Sequence, residues 1–326
     1  MVKKYLITGG TGFIGSAIAI RLLEEGHKIV SLDNNSRGNI RRLGKYKDHI
    51  HLIEGDIRDI EVVNKAMRGV DSVLHLAFVN GTEFFYSQPE AVLDIGVRGM
   101  INVLDSCRAN NVHEIILASS SEVYQTPPSI PTDEAVPLMI PDVLNPRYSY
   151  AGGKLISELM AINYGRTGFD RVMIFRPHNV YGPDMGWEHV LPQLVIRMIN
   201  EITLQPFGKI KFKIQGDGSQ TRAFVHIDDF VDGIISILTN GEHLNIYHIG
   251  NPEELSISEV AKYIGEFFER EIEIISGNDA SGGTARRCPD ISKLKAMGYS
   301  PKISFKNGLP SLAKWYKDNI SLRPPV

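Results

Sequence analysis

Short hydrophobic runs alternate with longer amphipathic segments through the first half of the chain. The runs are rich in β-branched residues and predict strands at KYLIT (4–8), HKIVSLD (27–33), HIHLIE (49–54), DSVLHLA (71–77), EIILASS (114–120) and RVMIFR (171–176). Between them, helical periodicity predicts helices over 16–25, 91–109 and 149–164. Strands that alternate with helices are typical of parallel βαβ units. The fold class predicted is α/β, with a Rossmann-type, doubly wound parallel sheet.

The pattern changes after residue 176, where prolines interrupt shorter helices. KIKFKIQG (209–216) predicts a strand, FVHIDDFVDGIISIL (224–238) a turn into an apolar helix, and LNIYHIG (244–250) a strand that returns to the main sheet. A last helix is predicted within 256–270. We therefore expect one domain from 1–176 with 228–251, and a smaller, discontinuous α/β substrate domain from 177–227 with 252–326.

Composition excludes several classes of protein. Hydrophobic residues make up 43%, charged residues 22%, and the formal net charge is -3, so the chain lacks the basic field that attracts nucleic acid or anionic membranes. With no cationic leader and no apolar run of about 18 residues, we expect a soluble cytoplasmic protein without membrane contact. Cys107 and Cys288 are too few for a disulfide framework. His178, His189 and His226 lack ligand spacing, so no metal is expected.

A glycine-rich loop, TGGTGFIG (8–15), follows the first strand and precedes a helix. Gly9, Gly12 and Gly15 allow a tight turn, a close approach of the backbone to a pyrophosphate, and close packing of helix on strand. Asp33 ends the second strand, where a carboxylate binds the ribose hydroxyls and repels a 2′-phosphate. NAD is therefore the predicted cofactor. Because Arg37 and Arg42 could hold a 2′-phosphate, NADP is the alternative.

Tyr150 and Lys154 lie four residues apart at the start of a predicted helix, in YSYAGGK, and so share one face. A tyrosine with a pKa near 10 is a poor base at neutral pH, but a neighbouring ammonium and an oxidised nicotinamide both stabilise the phenolate. The pair can then remove a hydroxyl proton while hydride leaves the same carbon. The pair becomes specific as a motif because the serine-rich strand end SSSE (119–122) and the dinucleotide loop both lie upstream of it.

Taken together, TGGTGFIG, LDN, GDIRD, HLA, SSSEVY, YAGGK, FRPHNVYGP, GDGSQTRAFVHIDD and ARRCPDISK resemble the extended short-chain dehydrogenase/reductase family, specifically its nucleotide-sugar epimerases and dehydratases. The resemblance covers nearly the whole chain. It implies that Tyr150 is the base, that Lys154 orients it and the nicotinamide ribose, and that Ser120 hydrogen-bonds O4 of the sugar. It also implies a homodimer formed through the helices predicted over 91–109 and 149–164.

The resemblance further implies the residues that contact the ligands. Those expected at the cofactor, besides the ones above, are Phe13, Ile14, Asn34, Asn35, Asp56, Ile57, Leu76, Ala77, Phe78, Ser119 and Pro177. Asn179, Arg222 and Arg287 are expected to bind the substrate's ribose and phosphates, with Val190 and Gln215 also on the substrate side. The choice between Arg286 and Arg287 is open. Arginine suits phosphate because its planar fork donates two hydrogen bonds.

Two positions depart from the family's pattern. Gly96-Val97 stands where family members usually carry Asn-Val, so a polar contact behind Lys154 is missing. Gln125 stands where glycine usually follows VY, which predicts a different shape for the next loop.

Glu122 is the residue that discriminates between the family's reactions. Dehydratases resemble this chain in carrying a glutamate before VY or LY, so we predict a 4,6-dehydratase that works through a 4-keto intermediate. With Ser121 in place of an aspartate, Glu122 would serve as both base and acid. A 4-epimerase is the first alternative, and a glucuronate-type decarboxylase, which shares the Ser-Glu pair and an arginine like Arg287, is another. A dinucleotide-sensing protein without catalysis and a small-molecule ketone reductase are disfavoured.

Overall fold

The computed structural model describes residues 1–278 and 284–324. Its strands are β1 (Lys4–Thr8), β2 (Lys28–Asp33), β3 (Ile50–Glu54), β4 (Ser72–His75), β5 (Glu114–Ala118), β6 (Arg171–Pro177), β7 (Val180–Tyr181), β8 (Ile210–Ile214), β9 (Thr221–Ala223), β10 (Val225–His226), β11 (Asn245–Ile249), β12 (Glu254–Ser256), β13 (Ile272–Ser276) and β14 (Arg286–Arg287). Its α-helices are α1 (Phe13–Glu24), α2 (Ile60–Met67), α3 (Thr82–Ser87), α4 (Pro89–Ala109), α5 (Ser149–Gly165), α6 (Val190–Leu204), α7 (Ile227–Asn240), α8 (Ile257–Phe267), α9 (Ser292–Lys295) and α10 (Phe305–Asp318). Short 3₁₀ segments span Ile40–His49, Ser121–Tyr124, Pro146–Tyr148 and Ile320–Leu322.

In the described residues, the central sheet has seven parallel strands in the order β3-β2-β1-β4-β5-β6-β11. The strand order reverses between β1 and β4, and this switch point opens a crevice at the carboxyl ends of the strands. The predicted fold class is therefore confirmed. The predicted return of the chain to the sheet is confirmed too, since β11 lies beside β6 with Tyr247 opposite Phe175.

Neighbouring residues on each central strand point to opposite faces and enter different hydrophobic clusters. Ile7 belongs to the cluster with residues of α1 and α7, whereas Leu6 belongs to the cluster with residues of α2, α4 and α5. Helices cover both faces, so the strands are continuous hydrophobic runs rather than alternating ones.

A third hydrophobic cluster joins α6, α8, α10 and β8, next to small sheets in the orders β13-β8, β12-β9-β14 and β10-β7. This layer comprises the segments assigned by sequence to the substrate domain, although the domain boundaries stay a prediction. No helix in the described part of the chain is both long and apolar enough to span a bilayer.

Helix α1 begins at Phe13, three residues before the predicted start at 16. Gly12 is its N-cap and makes no side-chain cap hydrogen bond, so the first backbone N–H groups remain free at the end of the glycine loop. The structure thus places the helix terminus directly at the crevice.

Phe78, just beyond β4, packs where α4 and α5 come together. A Cβ atom on Gly96 of α4 would lie 2.4 Å from the Cζ atom of Phe78, and one on Gly153 of α5 would lie 2.9 Å from it. The ring sits 4.1 Å below the ammonium of Lys154 and meets Tyr150 edge to face, with centroids 5.2 Å apart. Gly96 therefore makes room for the aromatic ring of Phe78. The ring occupies the space behind Lys154, where the sequence predicts that the family's usual polar contact is absent.

We expect Gly96→Ala to destabilise the protein by about 1–3 kcal/mol, because the new methyl group overpacks against Phe78. Gly152→Ala is the matched control on α5: its Cβ would meet nothing nearer than Ile140 Cδ1 at 3.9 Å, so it should stabilise by about 0.4–1 kcal/mol. Urea unfolding of both variants measures the difference. If the two variants are equally stable, the ring of Phe78 moves aside without lowering the free energy of unfolding.

Candidate functional site

A cleft of about 510 Å³ runs along the carboxyl edge of the sheet, at the switch point between β1 and β4. Most residues predicted for the site line it: Gly9, Gly12, Phe13, Ile14, Gly15, Asp33, Asn34, Asp56, Ile57, Leu76, Ala77, Phe78, Ser119, Ser120, Ser121, Glu122, Tyr150, Lys154, Pro177, Asn179, Val190 and Arg287. Asn35, Arg222 and Gln215 are not among its lining residues.

The glycine loop fits a dinucleotide pyrophosphate. Gly9 has a φ of +76°, and a Cβ on Gly15 would lie 2.1 Å from the carbonyl oxygen of Gly9, so neither position accepts a side chain without displacing the loop. The free N–H groups at the start of α1 point from this turn toward the cleft and carry the positive end of the helix dipole. The loop can therefore hold two phosphates through its backbone.

Asp33 supports the loop and marks its ribose side. Its Oδ2 accepts from the N–H of Thr11 at 3.0 Å, and its Oδ1 accepts from the N–H of Asn35 at 2.9 Å. The side chain of Asn35 turns back to accept from the Thr11 hydroxyl. Asn35 therefore braces the loop and is not among the residues that line the cleft, and its contact with the cofactor stays a prediction. Asp56 pairs with Arg58 at 2.7 Å, which holds the pKa of Asp56 below its ordinary value.

Tyr150 and Lys154 lie together on α5, both buried. Burial raises the pKa of Tyr150 to about 12, against which the Ser120 hydroxyl acts. Burial lowers the pKa of Lys154 to about 7. The Lys154 ammonium donates to the carbonyl of Ala118 at 2.7 Å and lies 5.8 Å from the centre of the Tyr150 ring. At neutral pH the Tyr150 hydroxyl is thus protonated, and a further positive charge nearby would be needed to favour its phenolate.

The serines that follow β5 face different ways. The hydroxyl of Ser119 donates to Glu158, which forms a buried ion pair with Arg176 at 2.6 Å. The hydroxyl of Ser120 caps the 3₁₀ segment Ser121–Tyr124 by accepting from the N–H of Glu122 at 3.1 Å. Ser121 is buried beside it. Ser120 therefore combines a fixed position with proximity to Tyr150.

Glu122 forms an ion pair with Arg287, 2.6 Å from Oε1 to Nη1. Burial alone would raise the pKa of Glu122, but Arg287, helped by Arg147 and Arg222, outweighs it and holds the pKa below its ordinary value. At neutral pH the carboxylate is therefore ionised and already carries a partner.

The two arginines of β14, between which the sequence leaves the choice open, lie differently relative to the cleft. Arg286 points outward and pairs with Glu254, and its side chain is 52% exposed, whereas Arg287 is buried and lines the cleft. Arg222 pairs in register with Arg287 across β9 and β14. It lies behind Arg287, its Nη1 donating to the carbonyl of Thr221 at 2.7 Å, and burial lowers its pKa to about 10. Its predicted direct contact with substrate is therefore not supported by the lining of the cleft.

Two of the other residues predicted to contact the substrate line the cleft, and one does not. Asn179, with a φ of +42°, lines the cleft and donates its side-chain N–H to the carbonyl of Ala223 at 2.9 Å. Val190 lines it at the start of α6. Gln215 is not among the residues that line the cleft: Ile210, Phe212 and Ile214 of β8 are buried, and Gln215 continues the alternation as an exposed residue. Its contact with substrate stays a prediction.

Sequence reasoning missed Arg147, and it did not predict the ion pairs that Arg37, Arg41 and Arg42 form. Arg147 lines the cleft three residues before Tyr150, and that spacing within NPRYSY was the signal available. Across the cleft mouth, Arg37 pairs with Glu188, and Arg41 pairs with Asp184 at 2.6 Å. Arg42 also reaches the carbonyl of Asp184, at 3.1 Å. These pairs, here named the clasp, join the loop after β2 to the segment before α6.

Comparison with known proteins agrees with this geometry. Residues 5–250 match the model of the NAD dependent epimerase/dehydratase family. UDP-glucuronic acid decarboxylase 3 of Arabidopsis thaliana is 30% identical, over 98% of this chain and 90% of that protein. UDP-N-acetyl-alpha-D-glucosaminuronate decarboxylase of Bacillus cytotoxicus is 29% identical, over 98% and 99%. DesIV, a dTDP-glucose 4,6-dehydratase of Streptomyces venezuelae solved with NAD and TYD bound, aligns with a TM-score of 0.86, at 29% identity over 99% of each chain.

We expect Asp184→Asn to accelerate release of bound NADH several-fold, because it removes the ion pair with Arg41 and loosens the clasp over the cofactor cleft. Stopped-flow fluorescence after mixing with excess NAD measures the rate. Glu271→Gln, which breaks the exposed pair with Lys209, is the control and should leave the rate unchanged. Equal rates for all three proteins would show that the clasp does not retain the cofactor.

Proposed function

The chain belongs to the NAD-dependent epimerase/dehydratase family, and we propose that it is a decarboxylase of nucleoside-diphosphate uronic acids. Enzymes of this family use NAD, and the glycine loop, the free start of α1 and Asp33 fit that cofactor. The coarse activity, modification of a nucleotide sugar, follows from family membership together with the decarboxylases and the dehydratase to which the chain is similar. The choice of decarboxylation is carried by the ion pair between Glu122 and Arg287.

A 4,6-dehydratase must protonate the C6 hydroxyl as it leaves. Arg287 holds Glu122 ionised, which suits Glu122 to take the C5 proton but disfavours the protonated form that must then deliver this proton to the C6 hydroxyl, and Ser121 stands where a separate acid is expected. Loss of carbon dioxide needs no acid at the leaving group. The ion pair therefore favours decarboxylation over the dehydration that the sequence pattern favoured.

The charge of this end of the cleft supports an anionic sugar. In the described part of the chain, Arg147, Arg222 and Arg287 surround the single carboxylate of Glu122. Arg287 and Arg222 lie on the small sheet, whereas Arg147 lines the cleft three residues before Tyr150, the predicted base for the sugar hydroxyl. We assign Arg147 to the uronate carboxylate, which its planar fork can bind with two hydrogen bonds.

The residues then have distinct roles in the reaction. Tyr150 removes the proton of the C4 hydroxyl, while Ser120 hydrogen-bonds O4 and Lys154 supports the phenolate. NAD held by the glycine loop and Asp33 would supply a reversible hydride acceptor for C4. The 4-keto uronate is a β-keto acid, so breaking its C5–C6 bond releases carbon dioxide and leaves an enolate across C4 and C5. Tyr150 and Ser120 stabilise the enolate oxygen, and C5 then takes up a proton from solvent in place of the carboxyl group that left as carbon dioxide.

A 4,6-dehydratase is the second candidate, because DesIV is as similar as the decarboxylases and Glu122 occupies the predicted base position. A 4-epimerase needs neither Glu122 nor Arg147, so it leaves the charged cluster without a role.

We expect the protein to release carbon dioxide from UDP-glucuronate or its N-acetylglucosaminuronate analogue and to form the matching UDP-pentose. Liquid chromatography with mass spectrometry measures the products. Arg147→Lys should raise KM for the uronate more than tenfold, because lysine keeps the charge but not the fork. Tyr150→Phe should abolish turnover while retaining NAD.

Lys295, which is exposed and is not among the residues that line the cleft, offers a charge-matched surface control as Lys295→Arg. A 4-keto-6-deoxy product from a UDP- or dTDP-hexose, with no carbon dioxide from any uronate, would contradict decarboxylation and establish the second candidate. A product inverted only at C4 would establish the epimerase.

The family resemblance also leads us to propose a homodimer. Helices α4 and α5 pack against each other and leave Leu93, Ile101, Ile156 and Leu159 exposed, the last at 56%. Two copies of this helix pair could cover these side chains in a four-helix bundle.

Leu159→Glu should convert the dimer to a monomer, because a charge would be buried at the bundle interface. Size-exclusion chromatography with light scattering measures the mass. Leu204→Glu, at an 81% exposed position on α6, is the control and should remain dimeric. A monomeric parent protein would rule out the dimer.

A further inference from the structure

Four residues close a ring of hydrogen bonds behind the ion pair of Glu122 and Arg287. Arg287 donates from Nη1 to the carboxylate of Glu122 at 2.6 Å and from Nη2 to the hydroxyl of Thr284 at 3.1 Å. Thr284 donates to the backbone carbonyl of Gln125 at 3.1 Å. The side chain of Gln125 donates to the backbone carbonyl of Glu122 at 2.6 Å. Each link thus fixes the next around the charged pair.

The backbone of Gln125 is bent to make this ring. Its φ of +53° lies in the left-handed region, where a residue with a side chain is strained. Gln125 is nonetheless buried, at 7% exposure, and its amide group closes the turn onto Glu122. The conformation turns its carbonyl group toward Thr284. The ring therefore accounts for a glutamine at a position that favours glycine.

We propose that Thr284 and Gln125 are positioning residues that hold Arg287 against Glu122. A guanidinium in the cleft could otherwise turn toward the substrate's phosphates or the sugar. Thr284 accepts from the nitrogen that Glu122 does not use, so both ends of the fork are occupied. Glu122 is thereby kept ionised before any substrate arrives.

The effect on catalysis rests on the proposed decarboxylation, but the effect on Glu122 does not. The groups facing Glu122 are Arg287 on β14, Arg222 on β9, Arg147 in the segment Pro146–Tyr148 and Tyr150 on α5. If Thr284 loses its hydroxyl, Arg287 loses an acceptor and is less firmly held. Burial then acts on Glu122 with less opposition, so its pKa should rise.

The test is a carbon-13 NMR titration of the Glu122 carboxyl group in protein labelled at glutamate, with Glu122→Gln identifying the signal. Thr284→Val should raise the pKa of Glu122 by about one unit, and Thr284→Ser should restore it. Thr239→Val is the matched control, since that exposed hydroxyl donates to the carbonyl of Ile235 within α7. Gln125→Gly accepts the same φ without strain and should raise the pKa in the same direction.

An unchanged pKa of Glu122 in both Thr284→Val and Gln125→Gly would overturn the proposal. A rise in Thr284→Val alone would overturn the role of Gln125 and leave that of Thr284. Activity provides a separate readout: the acid limb of kcat/KM should move upward by the same amount in Thr284→Val. A shifted pKa in a protein that does not decarboxylate any uronate would refute the proposed reaction while supporting the positioning role.

Discussion

A carboxylate enclosed by the wall of a cleft stays ionised only if a cation lies beside it, and much of this site depends on how that condition is met at Glu122. Its partner, Arg287, lies 165 positions later in the chain, on a strand of the small outer sheet. The contact therefore joins the end of β5 in the central sheet to the small sheet that contains β14. Because Arg222 lies beside Arg287 in register, positive charge gathers on one side of the carboxylate. Binding of an anionic sugar would complete this balance of charge.

The fold was predictable from sequence because its signals are local. Parallel strands buried on both faces are continuous hydrophobic runs, and the order of strands and helices around TGGTGFIG gave the doubly wound sheet and the cofactor edge. Tyr150 and Lys154 were also predictable, since four residues on a helix bring two side chains to one face. Each of these inferences uses contacts that are close in sequence or repeated at a fixed period.

The rest of the site depends on contacts that carry no local signal. Asn35 and Gln215 have ordinary polar side chains, and only the loop turn and the phase of β8 show that they face away from the cleft. The ion pairs of Arg37 and Asp184 could not be predicted from periodicity, because the clasp joins loops from distant parts of the chain. The ionised state of Glu122 is likewise a tertiary property. For this reason the sequence pattern pointed to dehydration, whereas the ion pair favours decarboxylation.

Phe78 and Gly96 each limit which side chain the other position can carry. The ring fills the space that a side chain at position 96 would need, and it lies under Lys154. Asparagine, which is usual at position 96 in the family, cannot freely replace Gly96 while Phe78 stays, because its side chain would need the space of the ring. Loss of the Phe78 ring while Gly96 stays would leave that space empty. Changing one of them alone would leave either a cavity or a clash beside Lys154. A substitution at either position therefore calls for a compensating one at the other.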